Sequence, residues 1–182
     1  YFAIDVVTET GYDLIDRILI FMLAVSDINV VIGSLLFSVF LQFVPYYCIR
    51  RGTEIAVSGK KANTRYPDLV IVSEAGATAL SGQKRSLVTL EMPAPILVVE
   101  VVSNSESNAQ SRERDSTNKR QEYAARGIPE YWIIDPAVGV ILILQRAGSL
   151  YREQQFTQDD RLISPGFPDL TLSAQQVLSA GV

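Results

Sequence analysis

Two acidic residues stand at unusual places in this sequence. Asp68 follows Pro67 at the start of a short, wholly apolar stretch that ends at Val72, and Glu100 lies inside the apolar, β-branched run 96–102. Burying a lone carboxylate costs several kcal/mol unless it is paired, protonated or bound to a metal. Both acids therefore require a chemical explanation, and a bound divalent cation that activates water is one.

The spacing of these acids suits a metal site built between two strands. A hard cation such as Mg²⁺ requires oxygen ligands that converge at one point. Neighbouring β-strands can supply them, because they lie only about 4.8 Å apart. We predict that Asp68 and Glu100 ligate the metal and that the backbone carbonyl of Val101 adds a third oxygen. Lys119 is the candidate for a positive charge beside a reacting phosphate or its attacking water.

Each of these residues also has a non-catalytic interpretation. A Pro-Asp pair marks turns, so Asp68 can be a turn residue. Glu100 can be the buried ion-pair partner of Lys119, and Lys119 can be a solvated helix residue. These interpretations together need three unrelated explanations, which favours one shared site. Pro168-Asp169 repeats the dipeptide without a buried apolar run behind it, so we interpret Asp169 as a turn residue.

Composition narrows the chemistry further. The sequence has 182 residues, 48% of them hydrophobic, which suits one domain over residues 1–182 with a substantial core. Because it has no histidine and only Cys48 as cysteine, Ser-His-Asp and Cys-His catalysis, His-ligated zinc and an internal disulfide are excluded. The single cysteine favours a reducing, cytoplasmic location. The net charge of −4 argues against strong non-specific nucleic-acid binding but allows a local basic patch.

The first half of the chain is predicted to alternate strands and a helix. Two short strands flank an Asp16-Arg17 turn, and a helix begins at Ser26 or Asp27. Its apolar run, 30–44, is too short for a membrane span, so we predict a largely buried core helix that Pro45 ends. No basic segment opens the chain, so no signal peptide is expected. Residues 46–57 are predicted as one strand, and residues 74–95 as a long loop.

The second half of the chain is predicted around a long helix. This helix runs from about Asn108 to Arg126, and Gly127 is placed to end it. Asp115, Lys119 and Tyr123 are spaced i, i+4, i+8 and share one face. The elements that follow are a strand with core aromatics Tyr131 and Trp132, a hairpin about Ala147-Gly148, and a short helix capped by Ser173. A buried mixed sheet with two principal helices, an α/β (α+β) fold class, fits this order.

Several short motifs occur together around these residues. They are Pro67-Asp68, Val99-Glu100-Val101-Val102-Ser103, Asp115-x-x-x-Lys119-x-x-x-Tyr123, Gly127-Ile-Pro-Glu-Tyr-Trp132 and Asp135-Pro136. In this combination the chain resembles the Uma-two family of restriction-endonuclease-like proteins, over roughly residues 12–178. Tyr12-Asp-Leu-Ile-Asp16 is also similar to the family's N-terminal Tyr-Glu-Leu-x-Asp-Gly signature. The resemblance implies the PD-(D/E)XK nuclease fold, with a central mixed β-sheet flanked by helices and a metal-dependent active site.

Three positions depart from the family's pattern. The Glu of its first signature is Asp13 here, and its turn Gly is Arg17. In the nuclease signature a lysine stands two residues after the Glu, but that position is Val102. The resemblance suggests that the lysine has migrated to Lys119 on the following helix. Asp13 and Asp115 are candidate accessory residues.

The resemblance implies an endonuclease that hydrolyses DNA phosphodiester bonds with Mg²⁺ or Mn²⁺ as cofactor. One alternative is a catalytically inactive nucleic-acid-binding or regulatory module on the same fold, and another is a structural homo-oligomer. The expected partner is nucleic acid, with DNA ahead of RNA, and no membrane. Because cutting both strands of a duplex usually requires two sites, a homodimer is expected by analogy.

Overall fold

The computed structural model describes the backbone of residues 12–15, 18–21, 26–58, 63–102 and 109–181. Side chains are described for residues 26–58, 63–102 and 116–181. In chain order the elements are β1 (Tyr12–Ile15), β2 (Ile18–Phe21), α1 (Asp27–Phe40), a 3₁₀ turn (Tyr46–Cys48), β3 (Ile49–Arg50), β4 (Glu54–Ala56), β5 (Thr64–Arg65), β6 (Leu69–Ile71), α2 (Glu74–Leu80), β7 (Leu87–Val88), β8 (Leu97–Val101), α3 (Ala109–Arg126), β9 (Glu130–Asp135), β10 (Val140–Ala147), β11 (Leu150–Phe156) and α4 (Ala174–Leu178).

A central sheet of six strands dominates the described residues. Its spatial order is β11-β10-β9-β8-β6-β3. β8 and β9 are parallel, and the other neighbours are antiparallel. A second sheet, β5-β4-β7, and the β1-β2 pair complete the strands. This mixed architecture confirms the predicted α/β (α+β) fold class.

Both faces of β8 are buried, which explains its apolar, β-branched sequence. Leu97 and Val99 belong to a core cluster that includes Leu36 of α1, whereas Val98 belongs to a second cluster that includes Tyr123 of α3. Successive side chains of a strand point to opposite faces of the sheet. Helices α1 and α3 therefore cover opposite faces, and even-numbered residues of β8 face α3.

Helix α1 is fully buried along one face only, although its apolar sequence predicts a largely buried helix. Ile32, Leu36 and Phe40 are fully buried, but Val30 is 40% exposed. The helix ends at Phe40, and a further turn separates it from Pro45. In the described part of the chain, no helix is both long and apolar enough to cross a bilayer.

Two predictions of secondary structure were wrong in part. Residues 46–57 are not one strand, because Gly52, with φ +73°, bends the chain out of the central sheet between β3 and β4. Residues 74–95 are not a loop throughout, since they contain α2 and β7. Ser73 begins α2 by accepting a hydrogen bond from the Gly76 amide at 3.1 Å.

The other predicted elements are confirmed. Gly127, with φ +86°, ends α3, and the β10–β11 hairpin turns at the predicted position. Ser173 forms a reciprocal capping box with Gln176 at the start of α4. Asp169 lies in an exposed turn, as predicted. The predicted strand pair at the N-terminus is also present, while Asp16-Arg17 between its strands lies outside the described residues.

A buried carboxylate that the sequence analysis did not single out secures the C-terminal segment. Glu130, at the start of β9, is 2% exposed. It accepts hydrogen bonds from Trp132 Nε1 at 2.6 Å, from Ser164 Oγ at 2.7 Å and from the Gly166 amide at 2.7 Å. Three donors offset much of the cost of burying the charge. Because Glu130 pairs with Leu97 at the start of β8, it stabilises the end of the sheet away from Glu100.

Candidate active site

The two predicted carboxylates lie on adjacent strands. β6 and β8 pair with Leu69 opposite Val99, and the same register extended by one residue sets Asp68 opposite Glu100. Val70 and Val98 belong to the core cluster on the α3 face, so strand alternation directs Asp68 and Glu100 to that face as well. Residues opposite each other in an antiparallel pair have Cβ atoms about 4.5–5.5 Å apart. The register therefore brings both acids to one end of the sheet, under α3.

Asp68 is fixed by the backbone of the neighbouring strand. Its Oδ2 accepts a hydrogen bond from the Val101 amide at 2.7 Å, and the side chain is half-buried. Burial raises the pKa of Asp68 and is the largest influence on it; the Val101 amide lowers that pKa, and the charge of Glu100 raises it. Lys119 and Arg51 oppose the increase with smaller effects. Asp68 therefore holds its proton more tightly than an ordinary aspartate.

Glu100 is paired on both of its oxygens. Lys119 Nζ lies 2.8 Å from Oε2, and the Tyr123 hydroxyl donates to Oε1 at 2.8 Å. The Glu100 and Lys119 side chains are only 12% and 22% exposed. This arrangement explains how an acid is accommodated inside the apolar strand β8, and it turns the Lys119 amine away from bulk solvent. Burial, followed by the charge of Glu100, raises the pKa of Tyr123 well above its ordinary value.

Helix α3 presents Lys119 and Tyr123 to the sheet because residues four apart share a helix face. Arg120 lies on a different face, where its Nη1 is 2.6 Å from Glu153 Oε2 on β11. Asp115 belongs to α3 and Asp13 to β1, but their side chains lie outside the described residues. The two candidate accessory residues therefore stay predictions.

A buried asparagine that the sequence analysis did not single out holds the backbone of the site. Asn29 of α1 is 4% exposed, and its Nδ2 donates to the Val101 carbonyl at 2.9 Å. Ser26 Oγ donates to Asn29 Oδ1 at 2.7 Å, which fixes the orientation of the amide. The signal in the sequence was a polar residue on the apolar face of α1. Val101 is thus held by Asp68 at its N–H and by Asn29 at its C=O.

The oxygen atoms of this site suit a hard divalent cation. Among the described residues, no group of three or more His, Cys, Asp or Glu side chains could hold a metal ion. Mg²⁺ does not require such a group, because proteins commonly bind it through one or two carboxylates together with water and substrate phosphates. Asp68, Glu100 and the Val101 carbonyl supply oxygens of this kind, and each oxygen keeps a lone pair beside its hydrogen bond. The donor set fits Mg²⁺ or Mn²⁺.

Comparisons with known proteins identify the family and the fold of the chain. The model of the Uma2 family, described as "Putative restriction endonuclease", matches residues 1–175. The chain is also similar to the crystal structure of a putative nuclease belonging to DUF820 from Anabaena variabilis ATCC 29413, with a TM-score of 0.66 and 18% identity, over 94% of this chain and 92% of that one. No curated protein matches the chain. At this identity the structural likeness shows the fold, which is restriction-endonuclease-like.

Proposed function

The chain belongs to the Uma2 (Uma-two) family of putative restriction endonucleases, and on this premise we propose that it hydrolyses phosphodiester bonds of DNA with Mg²⁺ or Mn²⁺. The observation that carries the proposal is the meeting of Asp68, Glu100 and Lys119 at one end of the central sheet. Two carboxylates on adjacent strands with a lysine beside them form a suitable constellation for metal-assisted phosphodiester hydrolysis.

The cation would be held by Asp68, Glu100 and the Val101 carbonyl. Bound there, it would lower the pKa of a water molecule and offset charge on the phosphate. Tyr123 orients Glu100 through the hydrogen bond to Oε1, and the hydrogen bonds of Asp68 and Asn29 fix the backbone on both sides of the Val101 Cα atom. Such supporting contacts hold ligands in place and tune the affinity for the cation.

Lys119 supplies the positive charge that the strand lacks. Val102 occupies the position where the nuclease signature has its lysine, and an apolar side chain cannot hold or polarise water. The approach of Lys119 Nζ to Glu100 Oε2 from α3 supports the proposal that the helix provides the same charge from another direction. An ammonium in a half-buried site stabilises developing negative charge more strongly than one in bulk water.

A second candidate function is a nucleic-acid-binding or regulatory module without catalysis. The observation in its favour is that Lys119 and Tyr123 already engage both oxygens of Glu100, so the carboxylate has partners in the absence of a cation. The two candidates differ in whether a divalent cation binds. We also propose a homodimer, by analogy with enzymes that cut both strands of a duplex, and a cytoplasmic location, from the single cysteine. Sedimentation at several concentrations tests the homodimer.

A cleavage assay with a matched pair of variants tests the proposal. The substrates are labelled DNA in single-stranded, duplex and mixed forms, incubated with Mg²⁺, with Mn²⁺ or with EDTA. We expect cleavage with the cations only, and its loss in Asp68→Asn. Asp169→Asn changes the same Pro-Asp dipeptide in an exposed turn and should leave cleavage intact. No cleavage of any substrate by the folded wild-type protein, together with no binding of Mg²⁺ or Mn²⁺, would overturn the proposal.

A further inference from the structure

A small surface beside Asp68 combines an arginine and an aromatic ring. Arg51 and Gly52 follow β3, and Tyr66 lies between β5 and Asp68. Arg51 is exposed, and Tyr66 is 59% exposed. A Cβ atom on Gly52 would lie 3.1 Å from the Tyr66 hydroxyl, so the turn after β3 and the ring are in contact. We name Arg51, Gly52 and Tyr66 the flanking patch.

Arg51 is held against helix α1. Its Nη1 donates to Ser34 Oγ at 3.1 Å, and a Cβ atom on Gly33 would lie 3.3 Å from its Cζ. The guanidinium thus packs on the helix surface, where a larger residue at position 33 would displace it. Gly52, the next residue, contacts the hydroxyl of Tyr66, which stands two positions before Asp68. A guanidinium has five N–H donors in a fork that matches a phosphate group.

The backbone between Tyr66 and the candidate metal ligand Asp68 is restricted. Only the buried Pro67 separates it from Asp68, and proline restricts the backbone on both of its sides. An exposed tyrosine alone is an ordinary surface residue. Here the exposed tyrosine contacts the turn that carries Arg51, and it lies two residues before the candidate catalytic carboxylate. Single-strand binders combine an aromatic and a cationic side chain in this way. In those proteins bases stack on aromatic side chains while cationic residues follow the phosphates.

We infer that the flanking patch binds an unpaired nucleotide next to the scissile phosphate. The base stacks on Tyr66, and the adjoining phosphate accepts hydrogen bonds from Arg51. This inference rests on the proposed nuclease function and narrows its substrate to single-stranded or locally unpaired nucleic acid. A base inside a continuous duplex has both faces covered by its neighbours, so it offers no face to the ring. The net charge of −4 also requires a local cation for binding, which Arg51 provides.

Binding measured without cleavage tests the inference. In EDTA, the fluorescence anisotropy of a labelled 12-nucleotide single strand and of its duplex is titrated with the full chain. We expect the wild type to prefer the single strand, and Tyr66→Ala to weaken that binding about 5- to 100-fold, the usual loss for one stacked base. Tyr66→Phe and Tyr66→Trp keep a stacking face and should bind within about threefold of the wild type. Arg51→Gln should weaken binding and reduce the slope of log affinity against log salt by about one.

Two variants serve as matched controls. Tyr46 is 71% exposed and lies before β3, at the end of that strand opposite to Arg51, so Tyr46→Ala should not change the affinity. Arg120 pairs with Glu153 on β11, so Arg120→Gln should bind like the wild type. The inference is overturned if Tyr66→Ala binds as tightly as Tyr46→Ala, or if the duplex binds as tightly as the single strand.

The outcomes separate this inference from the proposed function. Single-strand binding in EDTA that depends on Tyr66, with no cleavage in Mg²⁺ or Mn²⁺, supports the flanking patch. It would replace the proposed nuclease activity by the second candidate function, a nucleic-acid-binding module without catalysis. Cleavage that is equal in the wild type and in Tyr66→Ala on a single strand supports the nuclease and overturns the patch. A wild-type chain that neither binds nor cleaves nucleic acid overturns both.

Discussion

Lys119 Nζ lies 2.8 Å from Glu100 Oε2, although the two residues are 19 positions apart and belong to a helix and a strand. The pair is at the surface of the sheet that α3 covers, and both side chains are more than three-quarters buried. An ion pair in such a setting is screened by salt much less than one in solvent. The relationship therefore links the chemistry of the candidate site to the packing of α3 on β8.

Replacement of Lys119 should abolish any cleavage without unfolding the chain. Lys119→Met keeps most of the apolar stem but removes the charge, so we expect at least about a 100-fold loss of rate, as for other groups that stabilise transition-state charge. Glu100 loses its cationic partner, and the free energy of unfolding should fall by less than the about 3–5 kcal/mol of a fully buried pair. Single-turnover cleavage and urea unfolding measure the two effects.

Arg120 provides the control for this substitution, because it is the next residue on the helix and makes its ion pair with Glu153 at a more exposed position. Arg120→Met should keep the cleavage rate within about threefold and change stability by less than about 1 kcal/mol. Equal rates for Lys119→Met and the wild type would remove Lys119 from the mechanism.

Tyr123→Phe should weaken both the fold and the affinity for a divalent cation. The substitution keeps the ring but removes the hydroxyl that donates to Glu100 Oε1, so we expect a loss of about 1.5–3 kcal/mol in the free energy of unfolding. A ligand that has lost such support typically binds metal about 10- to 100-fold more weakly. Titration of the thermal midpoint with Mn²⁺ measures the affinity.

Tyr151→Phe is the matched control for this prediction. The Tyr151 hydroxyl donates to the Ile128 carbonyl at 2.8 Å, away from the carboxylates, so its removal should cost about 0.5–1.5 kcal/mol and leave the Mn²⁺ response unchanged. If both variants lost the same Mn²⁺ affinity, Tyr123 would have no specific role toward Glu100.

The titration of Asp68 predicts a pH dependence of stability. Burial, its largest influence, raises the pKa of Asp68 above the ordinary value of 3.8. The folded chain then keeps a proton that the unfolded chain releases, so this group's contribution to the free energy of unfolding decreases as pH rises from about 4 through the raised pKa, and is level above it. Asp68→Asn removes the titration and still accepts from the Val101 amide. Its stability relative to the wild type should therefore rise with pH in that window.

Urea unfolding of both proteins between pH 4 and pH 8, without divalent cations, checks this prediction. Asp169→Asn, in an exposed turn, should follow the wild type at every pH. A difference between Asp68→Asn and the wild type that is independent of pH, or that decreases as pH rises, would contradict the raised pKa of Asp68.

Glu130→Gln should reduce stability while leaving the chemistry of the site intact. The carboxylate accepts from three donors, and a glutamine amide would turn its own N–H₂ group toward one of them. We expect a loss of about 2–3 kcal/mol. Cleavage at 25 °C should be preserved, because Glu130 lies at the end of the sheet opposite to Glu100. Thermal melts and a cleavage assay are the measurements.

Two further variants define the cause of this loss. Gly166→Ala should also destabilise the chain, because its Cβ would lie 2.9 Å from Glu130 Oε2. Glu153→Gln removes the exposed ion pair with Arg120 and should shift stability by less than about 1 kcal/mol. Glu130→Gln and Glu153→Gln of equal stability would show that the three hydrogen bonds contribute nothing.

The sequence was most informative where a residue contradicted its surroundings. Glu100 in an apolar strand predicted a partner, and the i, i+4 spacing on α3 identified the face that carries Lys119 and Tyr123. The predicted central strand and long helix followed from periodicity and from Gly127. These features are local, since each depends on residues within one or two turns or on one strand.

Features that depend on distant contacts were not predicted. Asn29 touches Val101 across 72 positions, and nothing local to α1 specifies that contact. The strand predicted over residues 46–57 failed because Gly52 redirects the chain into a second sheet whose partners come from other segments. The sequence places Glu130 at the start of a strand, and two of its three donors come from residues 164–166, which are distant in the sequence.

The anchoring of the backbone on both sides of the Val101 Cα atom gives the site a built-in spectroscopic reporter. The N–H of Val101, in the peptide group that follows Glu100, donates to Asp68, and the C=O of Val101, in the peptide group that precedes Val102, accepts from Asn29. A proton, a cation or a phosphate that interacts with the Asp68 carboxylate must change the strength of the hydrogen bond between the Val101 N–H and Asp68. The ¹H and ¹⁵N resonances of Val101 should therefore follow occupancy directly, one backbone signal that registers each ligand whether or not any bond is cut.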